Sequence, residues 1–292
     1  MMKDIIATTR PKTLIAAIAP IVTCGSYLFD EVKYQPLLFF SILLATITVQ
    51  ILTNFYNDYY DLAMGHDTAI RKGPKRPFQM GKLTKSHMHF CLAFFTILYV
   101  LFLIPLIQVI PKIAITLGII SYFLAIFYTK GKYSLSKLGL SDLFAFLFFG
   151  PIATGITGYA LTQSADYKVV LLGLITGSLS TMLLVINHLR DKEEDCLNHK
   201  TTTIVRFGEK FGMQQMMVLI NIVRFAPLVI FPINTTNLIV ILVMFLLAEK
   251  YLKRFIQAYS KNDYAPMLPI TALQMGVQTT LLVFLCALHA RN

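Results

Sequence analysis

Nine long apolar stretches separated by polar breaks dominate the chain. They lie near residues 13–30, 36–57, 88–108, 110–129, 140–161, 168–189, 213–232, 235–250 and 267–289, the eighth being the least sharply bounded. Each approaches the roughly 20 consecutive apolar residues that an α-helix needs to cross a bilayer. The pattern predicts an all-α, polytopic membrane protein of about nine transmembrane helices, forming one domain over residues 1–292. A cleavable leader is not expected, because Lys3, Asp4, Arg10 and Pro11 precede a span that continues with no small-residue cleavage site.

Composition agrees with this. The 292 residues are 56% hydrophobic and only 14% charged, where soluble domains carry about 25% charged residues. The net charge of +11 could suggest a nucleic-acid partner, but its distribution argues against one. Most Lys and Arg fall at the N-terminus and in the loops after spans two, four, six and eight. The other side receives Lys33, Lys112, Lys168 and Arg291, and Arg224 falls inside span seven. The excess is therefore a topology signal: it places the N-terminus and the even loops in the cytoplasm of a cell (inner) membrane, with the C-terminus outside. Arg224 needs a partner or a cavity at that depth, and the sequence names none. Cys24, Cys91, Cys196 and Cys286 form no C-x-x-C pair and are expected to be small apolar fillers.

The informative polar residues stand at the ends of spans two and six. Asn57-Asp58-Tyr59-Tyr60-Asp61, with Asp67 beyond Gly65, closes one; Asn187, Asp191 and Asp195 close the other. Carboxylates beside hydrocarbon lose their water at high cost, so two such groups on one membrane face need a reason. On a helix, residues four apart advance about 40° per step, which puts Asn187, Asp191 and Asp195 on one face. Asn57 and Asp61 repeat the first step, and Asp67 is expected to arrive from the loop. Four helices separate the clusters, so the halves read as a parallel repeat with the two helices facing across a central cavity. Helix caps and solvated loop acids are the bland alternative. Carboxylate and amide oxygens suit Mg²⁺, commonly bound by one or two carboxylates together with substrate phosphates. Two such sites could clamp a diphosphate.

The loops beyond these helices favour the same ligand. Arg71-Lys72-Gly73-Pro74-Lys75-Arg76-Pro77-Phe78-Gln79-Met80-Gly81 follows the first cluster, and Arg190, Lys192, Lys200 and Arg206 accompany the second. Tyr128, Lys130 and Lys132 follow span four. Arg binds phosphate oxygens bidentately, and Gly lets backbone approach closely. His87 and His89 are read as interfacial. His66, His188 and His199 are read first as ordinary satisfied polar side chains and second as groups that orient a substrate.

These residues resemble the UbiA-type intramembrane prenyltransferases, and within them the branch that prenylates 1,4-dihydroxy-2-naphthoate for menaquinone synthesis. The resemblance runs nearly end to end. Arg10-Pro11-Lys12-Thr13-Leu14 with Ala19-Pro20 is similar to the opening of that branch. Asn57-Asp58-Tyr59, Asp61, Gly65 and Asp67 are similar to its first motif. Gly73-Pro74, Arg76, Gln79 and Gly81 fit the loop that follows. Asn187, Arg190, Asp191, Asp195, Lys200 and Thr202 fit the second motif, with Arg206-Phe207-Gly208 behind. Tyr128 and Lys132 reproduce its Tyr-x-x-x-Lys, and Phe148-Phe149-Gly150 and Thr271-Ala272 are also shared. Departures occur at Lys130-Gly131-Lys132-Tyr133, at Ser141-Asp142 and at His199, and they bear on the acceptor more than on the reaction.

The resemblance implies Mg²⁺-dependent transfer from a polyprenyl diphosphate to an aromatic acceptor, dihydroxynaphthoate first and 4-hydroxybenzoate as the alternative. It implies that Asn57, Asp61 and Asp67 hold one ion and Asn187, Asp191 and Asp195 the other. Asp58 coordinates or orients, while Arg76, Lys132 and Arg190 contact diphosphate with Tyr128 beside them. The tail would leave sideways into the lipid bilayer. A secondary transporter is the competing class, but its intramembrane acids belong near the midplane. CDP-alcohol phosphotransferases need an Asp-x-x-Asp-Gly pattern that the chain lacks.

Overall fold

The computed structural model describes residues 1–63, 65, 76–131, 133–198 and 200–290. His66, Asp67, Lys132, His199 and the first basic loop up to Lys75 lie outside the described residues.

Among the described residues the chain is helical, with no strand. Helix α1 (Met2–Thr9) and the 3₁₀ turn at Pro11–Thr13 form one arm that lies 53° off α2 (Ile15–Tyr27). A short α3 (Phe29–Tyr34) leads into α4 (Pro36–Ala63), followed by α5 (Lys85–Val109) and α6 (Pro111–Phe127). After a one-turn α7 (Leu135–Leu138) come α8 (Ser141–Phe148) and α9 (Pro151–Thr162), broken at Gly150. The chain ends with α10 (Tyr167–Leu197), α11 (Thr203–Phe207), α12 (Glu209–Ile230), α13 (Thr235–Lys261) and α14 (Met267–His289).

The apolar stretches all fall on helices, but the expected count of nine is not reproduced by length alone. Among the described residues, seven elements are long and apolar enough to cross a membrane, taking α8 and α9 together, and the bent α1–α2 pair makes an eighth. α6 has 17 residues, short of the roughly 20 expected. Backbone groups within the bilayer must be satisfied inside their own segment, and a helix does so regardless of where its apolar face ends. Accordingly α4 continues to Ala63 and α10 to Leu197, beyond the apolar stretches, and these polar extensions carry the Asn and Asp residues.

α10 is the central post: 72% of its apolar window is buried, against 17% for α5, which faces lipid. Its glycines let the α8–α9 break lie directly against it. A Cβ on Gly173 would sit 2.5 Å from Pro151 Cα, and one on Gly177 would sit 2.4 Å from the Phe146 carbonyl. Pro151 at the first position of α9 needs no donor there. Thr84 and His87 form a reciprocal cap on α5, while His89 Nε2 lies 3.1 Å from the Tyr59 hydroxyl. Cys24, Cys91 and Cys286 are buried and Cys196 is exposed, all free.

Arg224 finds the partner that the sequence did not name. Its guanidinium pairs with Glu249 on α13, donates to Asn221 Oδ1 at 3.2 Å, and lies over the Phe245 ring at 5.2 Å.

Candidate active site

A cavity of about 300 Å³ opens between α2, α4, α5, α6, α8–α9 and α10. Most of its wall is apolar or aromatic, including Leu103, Leu106, Ile156, Phe144, Phe148 and Phe149. Arg10, Asn57, Tyr128 and Asn187 supply its polar end. Helices α4 and α10 both contribute to this wall, as expected for helices that face one another.

At the polar end, Asp58 and Asp61 are buried, and so is Asp195. Asp58 and Asp61 are held by cations. Arg76 lies 3.3 Å from Asp58 Oδ1 and donates to Asp61 Oδ2 at 2.7 Å and to the Asn57 carbonyl at 3.2 Å. Arg10 donates to Asp58. Lys200, from the loop after α10, reaches across to Asp61 Oδ1 at 3.1 Å. That contact brings the two motif regions together. Arg190 grips its neighbour Asp191 with two bonds of 2.6 and 2.5 Å. Thr129, just after Tyr128, donates to Asn57 Oδ1 at 2.5 Å, and Asn187 donates to the Leu183 carbonyl at 3.1 Å.

The structure thus places Asn57, Tyr128 and Asn187 on the cavity wall, with Asp61 and Arg76 bonded beside Asn57, and with Arg190, Asp191 and Asp195 further along α10, where Arg190 lines a separate cleft with Lys192 and Glu209. Among the described residues, no group of three or more His, Cys, Asp or Glu side chains is gathered tightly enough to hold a metal ion. Asp61 and Asp191 are instead paired with Arg and Lys side chains, and Asp67 lies outside the described residues. The donor set nevertheless fits Mg²⁺, because it consists of carboxylate and amide oxygens, the ligands a hard divalent cation takes.

Sequence reasoning assigned no role to Arg10. It sits at φ +50°, uncommon for a residue with a side chain, and this turn between α1 and α2 directs its guanidinium at Asp58. The Asn54 side chain pins the turn by donating to the Thr9 carbonyl at 2.9 Å. An Arg-Pro pair opening the first span was the available signal. Lys200 was read as one of the basic residues beside the second motif, and its pairing with Asp61 depends on packing.

Comparison with known proteins decides the family. The model of the UbiA prenyltransferase family matches residues 18–273. The chain belongs to this family. It is therefore a transferase acting on prenyl groups, and the transporter reading falls away. Among curated relatives, the 1,4-dihydroxy-2-naphthoate octaprenyltransferase of Haemophilus influenzae is 34% identical over 292 residues, covering 96% of this chain and 93% of the relative. The enzyme of the same name from Escherichia coli is 32% identical over 206 residues, covering 68% and 67%. Among solved structures, the UbiA homolog from Archaeoglobus fulgidus bound to GPP and Mg²⁺ superimposes with a TM-score of 0.67 at 12% identity, over 99% of this chain and 100% of that one. A UbiA homolog from Aeropyrum pernix K1 gives 0.66 at 11% identity, over 92% and 97%. At these identities the structural likeness speaks for the fold alone.

Proposed function

We propose that this UbiA-family protein transfers a polyprenyl group from polyprenyl diphosphate to 1,4-dihydroxy-2-naphthoate, with loss of CO₂, to give demethylmenaquinol in menaquinone biosynthesis. The observation that carries the reading is the apolar cavity whose polar end bears Asn57 and Asn187, one residue from each Asn/Asp motif, with Lys200 tying the second motif region to Asp61 of the first. The near full-length likeness to naphthoate octaprenyltransferases supports the choice of acceptor.

Asn57, Asp61 and Asp67 would hold one Mg²⁺, and Asn187, Asp191 and Asp195 the other. Bound there, the ions would neutralise the diphosphate as it departs. Before substrate arrives, Arg76 and Lys200 neutralise Asp61, and Arg190 neutralises Asp191. When the diphosphate binds, Arg76, Arg190 and Lys132 turn to its oxygens, with the Tyr128 hydroxyl beside them. Asp58 holds Arg76 and Arg10 beside the diphosphate site.

The allylic C–O bond then breaks, and its electron pair leaves with diphosphate. The ring carbon bearing the carboxylate forms the new C–C bond, and the electrons of the carboxylate's own C–C bond restore the aromatic ring as CO₂ leaves. Phe144, Phe148 and Phe149 line the cavity, where apolar side chains would keep water from the allylic cation. A cavity of about 300 Å³ is at the small end for a ligand site, so the remainder of the tail leaves between helices into the bilayer. The acidic motifs and N-terminus face the cytoplasm of the cell (inner) membrane.

The test is an assay of membranes containing the chain, supplied with polyprenyl diphosphate and dihydroxynaphthoate and followed by product mass. Prenylated quinol that appears with CO₂ and requires Mg²⁺ supports the reading. Product with 4-hydroxybenzoate but not with the naphthoate removes the acceptor, and folded protein inert toward every acceptor removes the reaction.

A further inference from the structure

Asp142 stands outside both acidic motifs, yet it is buried at the start of α8 and held from three directions. Its Oδ2 accepts from Thr203 Oγ1 at 2.5 Å and from Gln215 Nε2 at 3.0 Å, while its Oδ1 lies 3.1 Å from His188 Nδ1. These partners come from α11, α12 and α10. A buried carboxylate is costly unless paired and hydrogen-bonded, and three elements must keep their places to satisfy this one.

Two of those places belong to the diphosphate end of the cavity. His188 directly follows Asn187, which lines the cavity, and it precedes Asp195 by two helical turns, so the two share a side of α10. Thr203 opens α11 three residues beyond Lys200, the cation on Asp61. The surrounding backbone closes the same unit. Thr201 donates to the Lys137 carbonyl, Arg206 Nη1 to the Leu138 carbonyl at 3.5 Å, and the Ser136 amide to the Tyr128 carbonyl at 3.2 Å. Gly139, at φ +69°, lets this contact form, since a Cβ there would lie 2.9 Å from the Thr201 carbonyl. The segment after Tyr128, the second Asn/Asp motif and the Lys200 segment therefore meet around one carboxylate.

We infer that Asp142 is a positioning residue for diphosphate binding: through His188 it sets the rotation of α10, and through Thr203 it places the Lys200 segment. It touches no substrate. The inference rests on the proposed reading of the site as one that binds a prenyl diphosphate.

The test uses the full chain in lipid nanodiscs and a slowly ionising probe, farnesyl thiodiphosphate with Mg²⁺, titrated by thermal shift. Wild type, Asp142→Asn and Thr203→Val are compared, and KM is measured for polyprenyl diphosphate and for the acceptor. Losing a group that orients ligand-bearing side chains costs about 10- to 100-fold in affinity. Asp142→Asn is expected to raise the probe's Kd by that factor with the acceptor KM unchanged, and Thr203→Val to raise it less. A folded Asp142→Asn protein with wild-type Kd, or one whose two KM values rise together, overturns the inference. Should Asp142→Asn not fold, Thr203→Val decides by the same criteria. Failure of wild type to bind the probe instead overturns the diphosphate reading itself.

Discussion

Replacement of Arg76 by Met tests the proposed use of the cations at the cavity mouth. Arg76 touches two buried carboxylates at once, 3.3 Å from Asp58 and 2.7 Å from Asp61, and also donates to the Asn57 carbonyl at 3.2 Å. Removing one partner of a buried ion pair costs about 3–5 kcal/mol. Here Arg10 remains on Asp58, and Lys200 remains 3.1 Å from Asp61, which places the loss at the lower end, about 3 kcal/mol. If the same guanidinium binds diphosphate oxygens, a charge-assisted bond of about 1.5–3 kcal/mol is lost as well. At 1.4 kcal/mol per decade that is roughly a 10- to 100-fold rise in KM for polyprenyl diphosphate. Arg76→Lys keeps the charge but lacks the planar fork, so it is expected to fall between. The assay is thermal unfolding of purified protein together with KM for each substrate. An Arg76→Met protein that melts like wild type with unchanged diphosphate KM would refute both the packing and the catalytic argument. A rise in acceptor KM alone would refute the catalytic one.

Further expectations follow from the same geometry. Asp61→Asn and Asp191→Asn are expected to abolish turnover in membranes while leaving folded protein, and wild-type turnover in either removes the assigned ligand roles. Chelation with EDTA should stop product formation and added Mg²⁺ should restore it, followed by product mass. Gly177→Ala places a Cβ 2.4 Å from the Phe146 carbonyl; such overpacking costs about 1–3 kcal/mol and should appear as a lower melting temperature. Arg224 and Glu249 pair between α12 and α13, and interhelical polar contacts in bilayers average about 0.6 kcal/mol in double-mutant cycles. A cycle of Arg224→Met and Glu249→Gln, read by unfolding, should find a coupling of that order, and zero coupling would leave the pair with no stabilising role.

Much of the architecture was legible because it depends on local properties. Apolar runs long enough for a bilayer mark where helices form, since a chain in lipid must satisfy its backbone within each segment. The fourfold spacing of Asn187, Asp191 and Asp195 already places them on one face of α10, and Asn57 and Asp61 likewise on α4, because helical geometry alone sets that relation. Hydropathy was a poor guide to where α4 and α10 stop, as their last turns are polar but still helical. It also missed the break at Gly150, which closes against Gly173 and Gly177 on another helix.

By itself, then, the sequence determined that this is a helical membrane protein with two Asn/Asp motifs beside basic loops, features that follow from composition, period and spacing. Only the tertiary structure decided which cation meets which carboxylate: Arg10 with Asp58, Lys200 with Asp61, Glu249 with Arg224, and His188, Thr203 and Gln215 around Asp142. Those pairings join residues far apart in the chain. Charge and hydrogen-bonding capacity make each side chain able to pair with many partners, and helix packing selects the one within reach.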